Sequence, residues 1–328
     1  MRSFILFLFL AANLLAQSED NSPEFFGFLR LTNTWEVDKN QSYFDVIHAR
    51  LGVKGNIKSK IGYKLYFDVA RNGKVLLDDN DKSVKQSYSN MLLDAFISLK
   101  PNKQLEITFG QSKVPFSSSN LRSPFGMDFI LRPSITKVTP SIRDVGIKAT
   151  FKNELLIKNS ISVGVFNGEG DNNFTNSKKP AYAFRWLLNP IEPLDFGFNY
   201  YTGNLKGTIA HIYDLEFSIN IFNSSLYAEY ANRTLNVPGN DLKSNALFLS
   251  YTYNILLDCD WADALKPNLR YERLSDNNKN KTHITTIGLT LSLLQQLNSE
   301  FKINYEINSP EQLTSSISTL YLLVQTQF

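Results

Sequence analysis

The chain has 328 residues, of which 20% are charged and 13% aromatic, with 12 Pro and 16 Gly; this is too apolar for disorder and long enough for one large β domain or two ordinary ones. Lys plus Arg number 34 against 31 for Asp plus Glu, so no basic excess marks nucleic acid as a partner. A single Cys259 excludes an internal disulfide framework and any multi-Cys zinc site.

Residues 1–16 have the pattern of an export signal. Arg2 supplies a positive start, Phe4 to Ala12 is an uninterrupted apolar run, and Ala16 offers a small residue at the cleavage point before Gln17. The run is too short to cross a bilayer as a helix. Its removal takes away one arginine and no acid, so the mature chain, 17–328, is nearly neutral. No later apolar stretch approaches the length of a spanning helix.

From there on the chain alternates. Period-two patterning predicts strands near 25–37, 43–54, 61–71, 88–100, 104–111, 142–151, 155–166, 181–188, 194–203, 208–220, 225–233, 245–254, 268–274, 283–294, 300–307 and 316–328. Around Ile61 one parity reads Ile61, Tyr63, Leu65, Phe67, Val69 and the other Gly62, Lys64, Tyr66, Asp68, Ala70. The same split recurs at Ile47, Ala49, Leu51, Val53 against His48, Arg50, Gly52, Lys54, and again at Leu247, Leu249, Tyr251, Tyr253. Connections alternate between long ones, such as Arg71 to Ser87 and Gln111 to Ser141, and tight ones, such as Pro101-Asn102-Lys103. The turn Ile255 to Lys266, which holds Cys259, is longer than that rule predicts.

These features predict an all-β chain: a transmembrane antiparallel β-barrel of sixteen strands in the bacterial outer membrane. The physical reason is backbone satisfaction, because unpaired N–H and C=O groups in hydrocarbon cost several kcal/mol each and only a closed sheet leaves none. The last strand ends on Phe328, a terminal aromatic of the kind through which the barrel assembly machinery recognises its substrates. Trp35, Tyr182, Trp186, Tyr200, Tyr213 and Tyr253 have the outward parity expected of an aromatic girdle facing outer-membrane lipid.

A sixteen-stranded barrel is wide enough for a water-filled lumen. Arg30, His48, Arg50, Lys54, Lys64 and Arg185 have the inward parity, beside Asp68, Asp94 and Glu106; the second half of the inner wall is more acidic, with Asp214, Glu216, Glu229 and Glu272 against Arg233, Arg270 and Lys302. The stretch Ser112 to Ser141 is too long for a hairpin and carries Val114-Pro115-Phe116, Pro124-Phe125-Gly126 and Phe129-Ile130-Leu131, apolar runs that a solvated loop does not need. The lumen is where it has room to pack. Lys113, Arg122, Arg132 and Lys137 outnumber Asp128 there, and a narrow region of that sign lowers the barrier for anions.

Several segments resemble the phosphate-selective porin O and P family: Ala49-Arg50-Leu51-Gly52-Val53-Lys54-Gly55, Leu93-Asp94-Ala95-Phe96, Gly110-Gln111-Ser112-Lys113-Val114-Pro115-Phe116-Ser117, Arg132-Pro133, Arg143-Asp144-Val145-Gly146 and Val165-Phe166-Asn167-Gly168. They cover about the first half of the chain. The resemblance implies a homotrimeric porin whose third extracellular loop folds inward, with arginines and lysines leading anions to a central site beside one acidic residue. Arg50, Asp94, Lys113, Arg122 and Arg132 are the positions where that role would sit. The expected function is passive diffusion of small hydrophilic solutes with a preference for anions, phosphate or polyphosphate among them. The alternatives are a non-selective or cation-preferring porin, or an adhesin on the same barrel.

An enzyme is not expected, because His48, His211 and His283 show no arrangement with a nucleophile. No cofactor motif and no metal-ligand spacing is present. Arg143 has the parity of outward Val145 and Ile147, which requires a bulge or a rim position.

Overall fold

The computed structural model describes residues 22–71, 75–77, 83–85, 91–153, 157–173, 179–278, 280–293, 298–313 and 315–328. The expected signal, 1–16, lies outside them, as does much of the connection 71–87.

Sixteen long strands form the wall. They are β1 Glu24–Glu36, β2 Gln41–Ile57, β3 Ile61–Asp68, β4 Leu92–Leu99, β5 Leu105–Lys113, β6 Arg143–Asn153, β7 Lys158–Phe166, β8 Ala181–Ile191, β9 Leu194–Leu205, β10 Thr208–Ile221, β11 Ser224–Val237, β12 Asn240–Tyr253, β13 Ala262–Ser275, β14 Lys281–Leu293, β15 Ser299–Pro310 and β16 Ile317–Gln327. Each pairs antiparallel with its neighbour in sequence, and β16 pairs back onto β1 from Phe28↔Gln327 to Glu36↔Thr319, which closes the sheet. Beyond the last strand residue, Gly27 and Phe328 exchange backbone hydrogen bonds at 2.9 and 3.1 Å. A Cβ on Gly27 would lie 2.4 Å from the Arg50 carbonyl oxygen of β2 and 2.8 Å from the Phe328 ring edge, so the position requires glycine.

The outer surface follows from the alternation. Tyr251↔Leu269, Leu269↔Ile287, Ile287↔Tyr305, Tyr305↔Leu320 and Leu320↔Trp35 are directly opposed pairs and make one unbroken apolar row across six strands. An apolar exterior of this extent is far larger than a monomer in water tolerates and suits a hydrocarbon surround. Trp35, Tyr182, Trp186, Tyr213 and Tyr253 are exposed on it, and Tyr200 stacks on Tyr213 with ring centroids 4.9 Å apart.

The structure corrects the periodicity at three places. In β2 the register shifts between Arg30 and Leu31 of β1, which pair with His48 and Val46 and leave Ile47 unopposed. Beyond this bulge the parity inverts, so Phe44 and Val46 face out while Ile47 turns inward beside His48. The expected long turn Ile255 to Lys266 is instead ladder: Ile255–Cys259 continues the line of β12 against β13, and only Asp260 and Trp261 make the turn. Arg143 stands at the first position of β6, buried, on the inner side. Its partner strand β5 is wrenched at Gly110, φ +118°, where a Cβ would lie 2.3 Å from the Ala95 carbonyl oxygen, a conformation reserved for glycine.

Candidate functional site

The connection between β5 and β6, residues 114–142, contacts inward-facing side chains from nearly all round the wall and therefore lies inside the barrel. Its apolar residues meet apolar patches on the otherwise polar inner face. Val114 and Phe116 pack with Phe166, Ala181, Ala183, Tyr201, Ala210 and Ile212, where three alanines leave room for the ring. Ile135 and Val138 pack with Ala231, Ala246 and Phe248. Phe125 closes on Phe28, Tyr66 and Leu93. Burying these side chains removes the cost of holding them in a water-filled lumen.

Polar anchors fix the rest. One helical turn, Ser118–Leu121, is capped by Ser117, whose Oγ accepts from Asn120 N at 3.2 Å. The Ser117 and Ser119 hydroxyls both donate to the Glu229 carboxylate. Ser134, at the start of a 3-10 turn, donates from its backbone N–H and hydroxyl to Glu272. Arg30 Nη2 donates to the Ile130 carbonyl at 2.8 Å, Arg270 Nη1 to Leu131 at 2.9 Å, Arg233 Nη1 to Lys137 at 2.8 Å and Gln325 Nε2 to Phe125 at 2.9 Å. Lys302 donates to the Met127 carbonyl. Carbonyls that would otherwise be orphaned by the irregular backbone are satisfied in this way. Much of the charge that the sequence places on the second half of the inner wall is therefore engaged with the loop rather than facing open water.

Between the loop and the wall at β1, β2, β6 and β11 a cavity of about 660 Å³ remains. It reaches the rim of the longer connections, since Asp171 and the β9–β10 turn residue Lys206 line it. Among the described residues the cations on its surface are Arg30, Arg50, Arg132, Lys137, Arg143, Lys206 and Arg233, against the carboxylate of Asp171. At the opposite rim a second space of about 590 Å³ is lined by Lys60, Lys100, Lys103 and Lys152, with Glu106 as the acid.

The residues singled out in the sequence are distributed as follows. Arg50 pairs with Asp68 at 2.9 Å, and His48 Nδ1 lies 3.1 Å from the same carboxylate. Asp94 is buried between Arg143 at 2.6 Å and Lys64 at 2.9 Å. Lys113 Nζ donates to the Leu121 carbonyl, and Lys148 Nζ donates to the Lys113 carbonyl at 3.0 Å. Arg132 donates to the carbonyls of Ser119 and, at 2.8 Å, Arg122. Burial, with Arg50 and Arg143 nearby, lowers its pKa to about 10, which leaves it charged at neutral pH. Arg122 is half exposed, pairs with Asp128 at 2.9 Å and does not line the large cavity. Lys54 sits towards the other end of the lumen with Glu24 at 2.8 Å. Arg185 faces inward but the loop covers it: it pairs with Glu216 and donates to Ser118 Oγ at 2.9 Å.

Periodicity missed Arg143 as an inner residue, and it missed Lys206, Lys60, Lys100, Lys103 and Lys152 because they lie in or beside turns. The alanines at 181, 183, 210, 231 and 246, which break the polar inner parity, are the signal that marks where the loop docks. Among the described residues no group of three His, Cys, Asp or Glu is placed to hold a metal ion.

The sequence profile of the family described as phosphate-selective porin O and P matches residues 25–221, more than half of the chain. No curated protein sequence matches it. Among solved structures, the anion-selective porin from Comamonas acidovorans superposes with a TM-score of 0.68 at 14% identity, covering 94% of this chain and 100% of that one. In vitro folded OmpT of Vibrio cholerae in its trimer form gives 0.65 at 11%, covering 94% and 100%. The outer-membrane channel DcaP of Acinetobacter baumannii gives 0.60 at 12%, covering 95% and 99%. At these identities the likeness establishes the barrel fold.

Proposed function

This chain belongs to the phosphate-selective porin O and P family, and on that premise we propose that its outer-membrane channel carries small hydrophilic anions, inorganic phosphate among them, by passive diffusion. The observation that supports the anion preference is the cavity in which, among the described residues, seven cationic side chains face one carboxylate, with Asp68 behind Arg50 and Asp94 behind Arg143. In a confined, partly dehydrated space charge is poorly screened, so such a surface holds a positive potential that concentrates anions and excludes cations. Arg50, Arg132 and Arg143 form the approach, and Asp94 is the acidic residue beside it. Asp94 offsets Arg143 and Lys64, which keeps the attraction weak enough for the solute to leave again. The lysines of the opposite mouth give a departing anion a second favourable surface.

Residues 1–16 act in this reading as the export signal and Phe328 as the signal for barrel assembly. A homotrimer is the assembled form, by analogy with the trimeric barrel of similar fold. The family and fold point to a channel rather than an enzyme.

The test is electrical. Purified protein inserted into planar bilayers in KCl should give discrete conductance steps, and phosphate added on one side should reduce the chloride current in a concentration-dependent way. A current carried by potassium and indifferent to phosphate would reject the proposal.

A further inference from the structure

The outward face of β12–β14 carries charge where a lipid-facing surface should have none. Arg273 has the outward parity of Leu269 and Tyr271 and is exposed. It is opposed by outward Leu247 on one side and by His283 on the other. Tyr271, one outward position deeper, begins the apolar band with Leu249 and Leu269. Lys281 is outward on β14, opposite Ser275, and Lys243 is outward on β12 nearer the rim. With strands about 4.8 Å apart and about 3.4 Å per residue along them, the Cα atoms of Arg273 and Lys281 stand roughly 8 Å apart.

Among the described residues the side chains of Arg273 and Lys243 make no hydrogen bond or ion pair. The acids on this face are Glu311, which lies 3.6 Å from Lys281 and 3.3 Å from His283, and Asp241, beyond Lys243 at the rim. His283 is also held by Tyr271 Oη at 2.8 Å from its Nδ1. No carboxylate therefore reaches the deepest cation of the patch. A guanidinium at the edge of hydrocarbon is costly unless it extends to the headgroup layer and meets an anion there.

We propose that Arg273, with Lys281 and Lys243, binds the phosphate headgroup of a lipid in the leaflet facing the long-connection rim, and that the lipid's acyl chains lie along Leu247, Leu249 and Leu269. A phosphate accepts several charge-assisted hydrogen bonds from a guanidinium and an ammonium at this spacing, and each basic residue at a membrane surface adds attraction for an anionic lipid. The site rests on the membrane-barrel reading but not on the ion preference of the pore, because all three side chains are outside the lumen.

The test is native mass spectrometry of the detergent-purified protein titrated with bisphosphoryl lipid A, with the same lipid dephosphorylated, and with inorganic phosphate. The phosphorylated lipid should be retained and the dephosphorylated one should not, free phosphate should fail to displace it, and Arg273→Gln with Lys281→Gln should weaken retention roughly tenfold or more. Equal retention of both lipids, equal retention by the variant, or displacement by free phosphate would overturn the proposal. Single-channel conductance of the variant should match that of the native chain, so loss of lipid binding with intact conductance is separable from failure of the channel reading. If the double variant does not assemble, the comparison of the two lipids on the native protein decides alone.

Discussion

The guanidinium of Arg143 and the carboxylate of Asp94 meet at 2.6 Å, both buried, and the second oxygen of Asp94 takes Lys64 at 2.9 Å. One acid thus holds two cations from two other strands on the inner face of the wall. Removing one partner of such a buried pair leaves uncompensated charge and costs about 3 kcal/mol or more. Asp94→Asn should therefore lower the urea concentration at which the barrel unfolds and, in the fraction that assembles, raise the permeability of chloride relative to potassium. Unfolding curves and reversal potentials read the two effects separately.

Arg132 and Arg122 are close in sequence but differ in surroundings. Arg132 lines the large cavity, whereas Arg122 pairs with Asp128 away from it. Arg132→Glu should shift the reversal potential strongly towards cations, and Arg122→Glu should shift it less. Equal shifts would mean that the conducting path does not follow the large cavity.

Arg270 ties the loop to the wall through Leu131 and Phe129 and holds Glu272 on its own strand. It donates to the Leu131 carbonyl at 2.9 Å, pairs with Glu272 at 2.7 Å and lies 4.6 Å above the Phe129 ring centre. Glu272 in turn holds Ser134. Arg270→Ala should leave Glu272 without its cation and loosen this half of the loop, so that steady single-channel current becomes noisy with brief closures. The measurement is the open-channel noise of native and variant protein under identical voltage.

Gly110 has a backbone conformation that side chains avoid, and its missing Cβ is replaced by the Ala95 carbonyl. Gly110→Ala should cost at least about 2 kcal/mol and tilt β5 away from β4 just below the loop. Loss of the compact, heat-modifiable band on electrophoresis, or a lowered unfolding midpoint, would register it. An unchanged midpoint would mean that the twist at Gly110 is relaxed at no cost.

Period-two alternation alone places the sixteen strands and the closed sheet, because lipid outside and polar groups inside impose the same pattern on every strand. It fails where a single residue changes the register. The bulge at Ile47 reverses the faces of β2, whereas Arg143 turns inward at the first position of β6 although its ladder with β5 runs without a shift. A one-residue slip has no composition signal but moves every later side chain to the other face. The basic cavity is also hidden in a nearly neutral composition. Its cations come from β1, β2, the inner loop, β6, a turn and β11, positions brought together only by closure, while many of the compensating acids are drawn into holding the loop.

On this reading the open part of the lumen has a positive potential, and it is read out by the reversal potential of the purified protein in a planar bilayer under a tenfold KCl gradient. A chloride-to-potassium permeability ratio above one is expected for the native chain, falling when Arg50, Arg132 and Arg143 are replaced by glutamine. A ratio below one for the native chain would mean that the lumen favours cations and that the basic cavity does not set its selectivity.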